Sequence, residues 1–169
     1  MCPPSAICMK SMDTLYTAAG GKCFSVERPS TALSDYQYEA SPAFMGCRQE
    51  DSNMLQMINE LEALVSGDST ESIAFNGDIS AIVAKKAANG GVVVLDGSLV
   101  GVKNVHGCPV TVDALFEGAE LPDGLWGVVL PEEEIESRTS YGWFDRMSAK
   151  QVLESSVPFS VYFRWALQR

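Results

Sequence analysis

One histidine, His106, is all the imidazole in this chain of 169 residues. A metal centre built on several histidines is therefore ruled out, and any zinc site would need about four ligands drawn mostly from cysteine. Long apolar runs are missing as well. The longest, such as Val92–Leu95, cover only a few residues, whereas a membrane-spanning helix needs about 20. The opening "MCPPSAICMKSMD" lacks a basic start followed by an apolar stretch, so no secretory signal is expected. No C-x-x-C pair occurs. The five cysteines, Cys2, Cys8, Cys23, Cys47 and Cys108, are odd in number and irregularly spaced. A disulfide framework is not expected from them; reduced thiols in an intracellular, cytoplasmic setting are the simpler reading.

Several functional motifs are absent too. "AANGGVVVLDG" contains glycines but matches neither G-x-x-x-x-G-K-[ST] nor G-x-G-x-x-G, so no nucleotide-phosphate loop is expected. There is no D-x-D-x-D-G calcium loop and no acid followed closely by E-x-K. Neither a cofactor nor a metal is expected. The twelve Lys and Arg are scattered rather than gathered in a stripe, which argues against direct nucleic-acid binding.

What the chain does have is acid. Its formal net charge is −10. From residue 104 to residue 137 stand Asp113, Glu117, Glu120, Asp123, Glu132, Glu133, Glu134 and Glu136, with no Lys or Arg between them. Such a surface repels phosphate backbones and attracts basic partners. Hydrophobic residues make up 46% and charged residues 20%, enough apolar material for a chain of this length to bury a core without disulfides or a metal.

The residue pattern predicts a single compact α+β domain: a mainly antiparallel sheet of about five or six strands with two to four short helices packed on it. Residues 1–50 are expected to be a loop-rich N-terminal segment, with a short strand at 22–27 and irregular chain over 28–50; residues 51–169 are expected to form the core. In "DSNMLQMINELEALVSGD", Met54, Met57, Ile58, Leu61, Leu64 and Val65 recur at three- and four-residue steps, the signature of one helical stripe. Asp51 or Ser52 can cap its start and Gly67 can end it. "ESIAF" (71–75) reads as a strand and "GDISAIVAKKAANGG" as a second helix ended by Asn89-Gly90. Asp96-Gly97 between valine-rich runs signals a hairpin pairing Val94 with Leu99. Thr111 caps a short helix, 125–130 is a strand, Pro131 and three glutamates open a helix, 139–146 is an aromatic loop, and "SAKQ" (148–151) is a capping box. In "VPFSVYFRWALQR", apolar residues occupy every second position from Val157 to Leu167, predicting a half-buried antiparallel strand.

Two chemistries compete for attention. His106 can act as a base toward Cys23 or Cys108, giving a thiol hydrolase or protease. Set against this, "CFSVE" after Cys23 reads as a strand, whereas a reactive cysteine usually sits at a helix N-terminus, and "VHGCPV" reads as a strand end and corner. The leading expectation is therefore non-enzymatic. The chain reads as a small acidic interaction protein, an inhibitor or accessory factor that engages the basic surface of a macromolecular partner, in its sharpest form a nucleic-acid mimic. Its candidate contact residues are the eight acids above together with Tyr141, Trp143 and Phe144, since aromatic side chains supply many interface hot spots. A protein partner is expected; a membrane or a nucleic acid is not. A structural or assembly role, with the C-terminal strand or the Met-bearing helix pairing between subunits, is a further alternative.

Overall fold

A computed structural model describes residues 6–30, 37–66, 75–130, 135 and 140–168. Along the chain these hold β1 (Ala6–Cys8), α1 (Met12–Ala18), β2 (Phe24–Pro29), β3 (Tyr38–Gly46), α2 (Ser52–Ser66), α3 (Phe75–Ala88), β4 (Val93–Leu95), a 3-10 turn (Gly97–Val100), α4 (Val112–Glu117), β5 (Gly127–Val129), α5 (Gly142–Asp145), α6 (Ala149–Glu154) and α7 (Ser160–Leu167). The chain is α+β, with its five described strands divided between two small sheets, antiparallel except for one pair. Seven α-helices among the described residues exceed the two to four expected. The chain folds as two compact units. One comprises residues 12–96; the other joins residues 3–11 to residues 97–169.

The first unit is built on the sheet β3-β2-β4. β2 lies in the middle, antiparallel to β3 and parallel to β4. Its Phe24, Ser25 and Val26 are all buried, and a central strand covered on both faces shows no alternation in its sequence. Ser25 is tolerated there because its hydroxyl donates to the Ser41 carbonyl at 2.8 Å. Much of the segment expected to be irregular over 28–50 is therefore strand. β3 pairs along β2 with a register shift between Ser25 and Glu27, and the cross-strand pair Arg28–Glu39 sits beyond it, at 2.7 Å. Turn-like residues mask a strand when its hydrogen bonds come from a distant neighbour. α2 starts as expected: Asp51 Oδ1 accepts from the backbone N–H groups of Asn53 and Met54. It buries Met57, with Met54 and Leu61 half-buried, against Cys23, Ala40, Met45, Ile82, Val83 and Val92. Ile58, Leu64 and Val65 of its expected stripe stay exposed.

The hairpin expected at Asp96-Gly97 does not form. β4 pairs parallel with β2, and the chain then enters the 3-10 turn, so Val94 and Leu99 are not strand partners. Val93–Leu95 finds its hydrogen bonds on β2, and the local turn signal yields to that longer-range pairing. The predicted strand at 71–75 lies, up to residue 74, outside the described residues, and Phe75 already begins α3. Residues 131–134 and 136–139, which include the helix start predicted at Pro131, also lie outside them.

The second unit pairs β1 antiparallel with β5, Ile7 opposite Val128 and Cys8 opposite Gly127. A β-carbon at Gly127 would stand 2.5 Å from the Ile7 carbonyl oxygen, so this pairing requires glycine. Thr111 caps α4 by accepting from Ala114 N at 3.2 Å, and Gly118 closes it with a φ of 99°. Ser148 and Gln151 form the predicted capping box of α6. The expected aromatic loop contains α5.

The largest correction concerns the C-terminus, where α7 replaces the predicted strand. The alternating letters conceal a helical stripe. Phe159, Tyr162, Phe163 and Ala166 fall at i, i+3, i+4 and i+7 and pack on the same core. Ser160, which a strand would turn to solvent, is fully buried, whereas Trp165 is half exposed. Arg164 Nη1 secures the helix by donating to the carbonyls of Leu153 at 3.0 Å and Ser155 at 3.1 Å. Among the described residues, no helix is long and apolar enough to cross a membrane.

Candidate functional site

The two candidate contact segments converge in the second unit. Asp113 lies in the first turn of α4, where a negative charge complements the helix dipole. Tyr141 Oη donates a hydrogen bond to Asp113 Oδ1. The Tyr141 ring stacks on Phe116 with centroids 4.3 Å apart. Phe144 is buried and meets Phe116 edge-on at 5.2 Å. Trp143 stands beside them, 6.1 Å from Phe116 and 5.9 Å from Phe144, yet 47% of its surface is exposed. Its ring is thus braced by two edge-to-face neighbours while presenting area outward. Glu117, next to Phe116, is exposed, as are Glu120 and Asp123 further along. Of the predicted contact residues, Asp113, Phe144 and Tyr141 hold the arrangement together, and Trp143 and Glu117 offer it to solvent. Glu132, Glu133, Glu134 and Glu136 lie outside the described residues.

The acidity of the second unit lies in where its acids fall along the chain and not in its net charge, which is the smaller of the two. The second unit carries ten acids against seven bases, net −3; the first carries twelve against five, net −7. The first unit's acids are interleaved along its chain, and two of them are paired, Glu39 with Arg28 and Glu60 with Lys85 and Lys86. The second unit's acids are concentrated between residues 113 and 136.

His106 occupies a tight turn. Asn104 Oδ1 accepts from the backbone N–H groups of His106 at 2.9 Å and Cys108 at 3.0 Å, Gly107 takes a φ of 78°, and Lys103 bridges Pro109 across the turn. Asparagine side chains organise such turns by standing in for backbone acceptors. Both His106 and Cys108 are exposed, and the imidazole Nε2 faces Glu120 Oε2 at 3.7 Å. Cys23 lies in the first unit, buried beside Cys47. Burial, then the Asp51 carboxylate, then Cys47 push its thiol up to about 12. Cys23 is therefore protonated at neutral pH, whereas a nucleophilic cysteine needs its pKa lowered. Among the described residues, no three of His, Cys, Asp and Glu are placed to hold a metal ion.

Sequence reasoning missed a shallow groove of about 280 Å³ in the second unit. Met9, Lys10, Pro122 and Leu125 line it, with Tyr162 and Trp165 along one side. Lys10 Nζ donates to the Gly124 carbonyl at its edge. A helical reading of the C-terminus would have placed Tyr162 and Trp165 near one another at i and i+3, the only signal the sequence holds for this feature. Comparisons with protein families, with characterised proteins and with solved structures find no match to this chain.

Proposed function

We propose that this chain is an interaction protein that engages a basic surface of a protein partner through the face formed by α4 and α5. The bond between Tyr141 and Asp113 carries this reading, because it joins the acidic helix to the exposed Trp143 and makes one face of two segments about 30 residues apart. A braced, half-exposed tryptophan is a typical anchor at the centre of an interface. Its ring accepts an arginine guanidinium over its face. Glu117 and, nearby in the chain, Glu120 and Asp123 add the charge that steers a basic partner toward it. Masking a nucleic-acid-binding surface is the sharpest form of this activity.

No observation favours the thiol hydrolase to the same degree, since the thiol of Cys23 is protonated and His106 sits in an exposed turn. The test is affinity capture from the native cell with the wild-type chain, the triple variant Glu117→Lys/Glu120→Lys/Asp123→Lys, Trp143→Ala and His106→Ala. The expected result is a partner held by wild type and His106→Ala in low salt and lost by both the triple variant and Trp143→Ala. Retention by the triple variant and Trp143→Ala, or loss by His106→Ala alone, refutes the proposal.

A further inference from the structure

The paired ends of β2 and β3 carry a cysteine each in the first unit, Cys23 just before β2 and Cys47 just after β3. Phe24 stands opposite Gly46 and Ser25 opposite Met45 in the antiparallel register; extending that register by one step beyond the strands places Cys23 across from Cys47. The Phe24 ring fixes this end of the ladder by lying over Gly46, where a β-carbon would meet ring atoms at 2.5 Å. Directly opposed residues in an antiparallel pair have α-carbons about 4.5–5.5 Å apart, inside the range of about 4.4–6.8 Å that a disulfide spans. Cys47 packs against the buried cluster that contains Cys23. Cys23 is 1% exposed and Cys47 is half-buried, so a reagent reaches Cys47 first.

We propose that Cys23 and Cys47 form a dithiol oxidised by low-molecular-weight disulfides, closing as an intramolecular bridge between β2 and β3. The Cys47 thiolate attacks one sulfur of the disulfide RSSR, forming Cys47–S–SR and expelling RS⁻. Cys23 then gives its proton to a solvent base and attacks the Cys47 sulfur, forming the Cys23–Cys47 bond and expelling a second RS⁻, which takes up a proton, as does the first. The two thiols lose two electrons and two protons, and RSSR becomes two RSH. Burial and the Asp51 carboxylate raise both thiols; Cys47 attacks first because it is the one a reagent reaches, and the buried Cys23 is the resolving partner. The exposed Cys8 and Cys108 belong to the other unit.

The test treats the folded full-length chain with oxidised glutathione, blocks remaining thiols with iodoacetamide in denaturant, and maps the peptides by mass. The expected product is a Cys23–Cys47 cross-linked peptide lighter by two hydrogens than its reduced form, reversed by dithiothreitol, with a raised thermal midpoint while the bridge is closed. In Cys23→Ala the expected product is glutathione retained on Cys47, which shows directly that the second step belongs to Cys23. Recovery of both residues as alkylated thiols, glutathione held on Cys47 of the wild-type chain without closure, or a dominant bridge between any other pair overturns the proposal. Because the decisive reading is made on the wild-type chain, poor folding of Cys23→Ala does not blunt it.

Discussion

Replacing Phe159 with alanine and, separately, Trp165 with alanine tests whether the C-terminus is helix or strand. The two residues face differently: Phe159, which caps the start of α7, is fully buried, whereas half of Trp165 within it is exposed. The Phe159 ring lies 5.2 Å from Phe163, 5.7 Å from Phe144, 5.8 Å from Phe116 and 6.3 Å from Tyr162. Among the described residues Trp165 has one ring neighbour, Tyr162, at 5.6 Å. Removing a buried phenylalanine costs about 3–5 kcal/mol through lost transfer energy and the cavity left behind. Each aromatic pair adds about 0.5–1.5 kcal/mol, which places Phe159→Ala near the upper end. Trp165→Ala loses half the burial and one pair, or about 1–2 kcal/mol. Urea unfolding followed by far-ultraviolet circular dichroism measures the difference, provided the slope with urea stays constant. If Phe159→Ala does not fold, Phe159→Leu, costing about 1–2 kcal/mol, takes its place. A period-two strand puts both residues on one buried face, so equal losses would refute the helical packing described here.

Four further outcomes follow. Ser160→Ala is expected to leave stability unchanged or raise it by about 1 kcal/mol in urea unfolding, because the buried Ser160 hydroxyl finds no hydrogen-bond partner among the described residues; a loss above about 1 kcal/mol would contradict this. Asn104→Ala is expected to lower stability by about 1–2 kcal/mol by removing the acceptor for two turn N–H groups, whereas His106→Ala, at an exposed contact with Glu120, should change it by less than about 0.5 kcal/mol. Gly46→Ala is expected to cost about 1–3 kcal/mol through collision with the Phe24 ring and to reduce the yield of the Cys23–Cys47 bridge, both read in the same preparation. Alkaline stability also has a definite sign. A Cys23 thiol raised to about 12 in the folded chain holds its proton more tightly than in the unfolded chain, where a thiol ionises near pH 8.5. Its contribution to stability is therefore complete below that pH and is lost as pH rises toward 12. Cys23→Ala should flatten that decline in alkaline urea titrations, and an equally steep decline would contradict the burial of the thiol.

The elements legible in the sequence were those whose signals are local. Asp51 opening α2, Thr111 capping α4 and Ser148 with Gln151 opening α6 all stand where the sequence puts them, because a cap is settled by side chains a few residues away; the valine-rich β5 is also a strand, although its ladder comes from the distant β1. Elements decided by distant partners were misread. β3 is turn-rich in composition yet is strand because β2 supplies its ladder, and β4 ignores the Asp96-Gly97 turn signal because β2 takes its hydrogen bonds. Alternation at the C-terminus is compatible with either period over so short a span, and only the aromatic core of the second unit selects the helix. At the candidate face, the acids and the aromatics were each visible in the sequence. Their joining through Tyr141 and Asp113 was not, because the pair is 28 residues apart. The facing of Cys23 and Cys47 was hidden for the same reason.

Trp143 and the acids of α4 and the following segment are proposed to form one recognition face. Isothermal titration of the chain with an oligo-arginine peptide at two salt concentrations tests it most directly. The expected result is binding that weakens as salt rises, a loss of about 2 kcal/mol, or about 30-fold, on Trp143→Ala, and a loss at least as large on Glu117→Lys/Glu120→Lys/Asp123→Lys. Binding that is indifferent to salt, or unchanged in both variants, would contradict it.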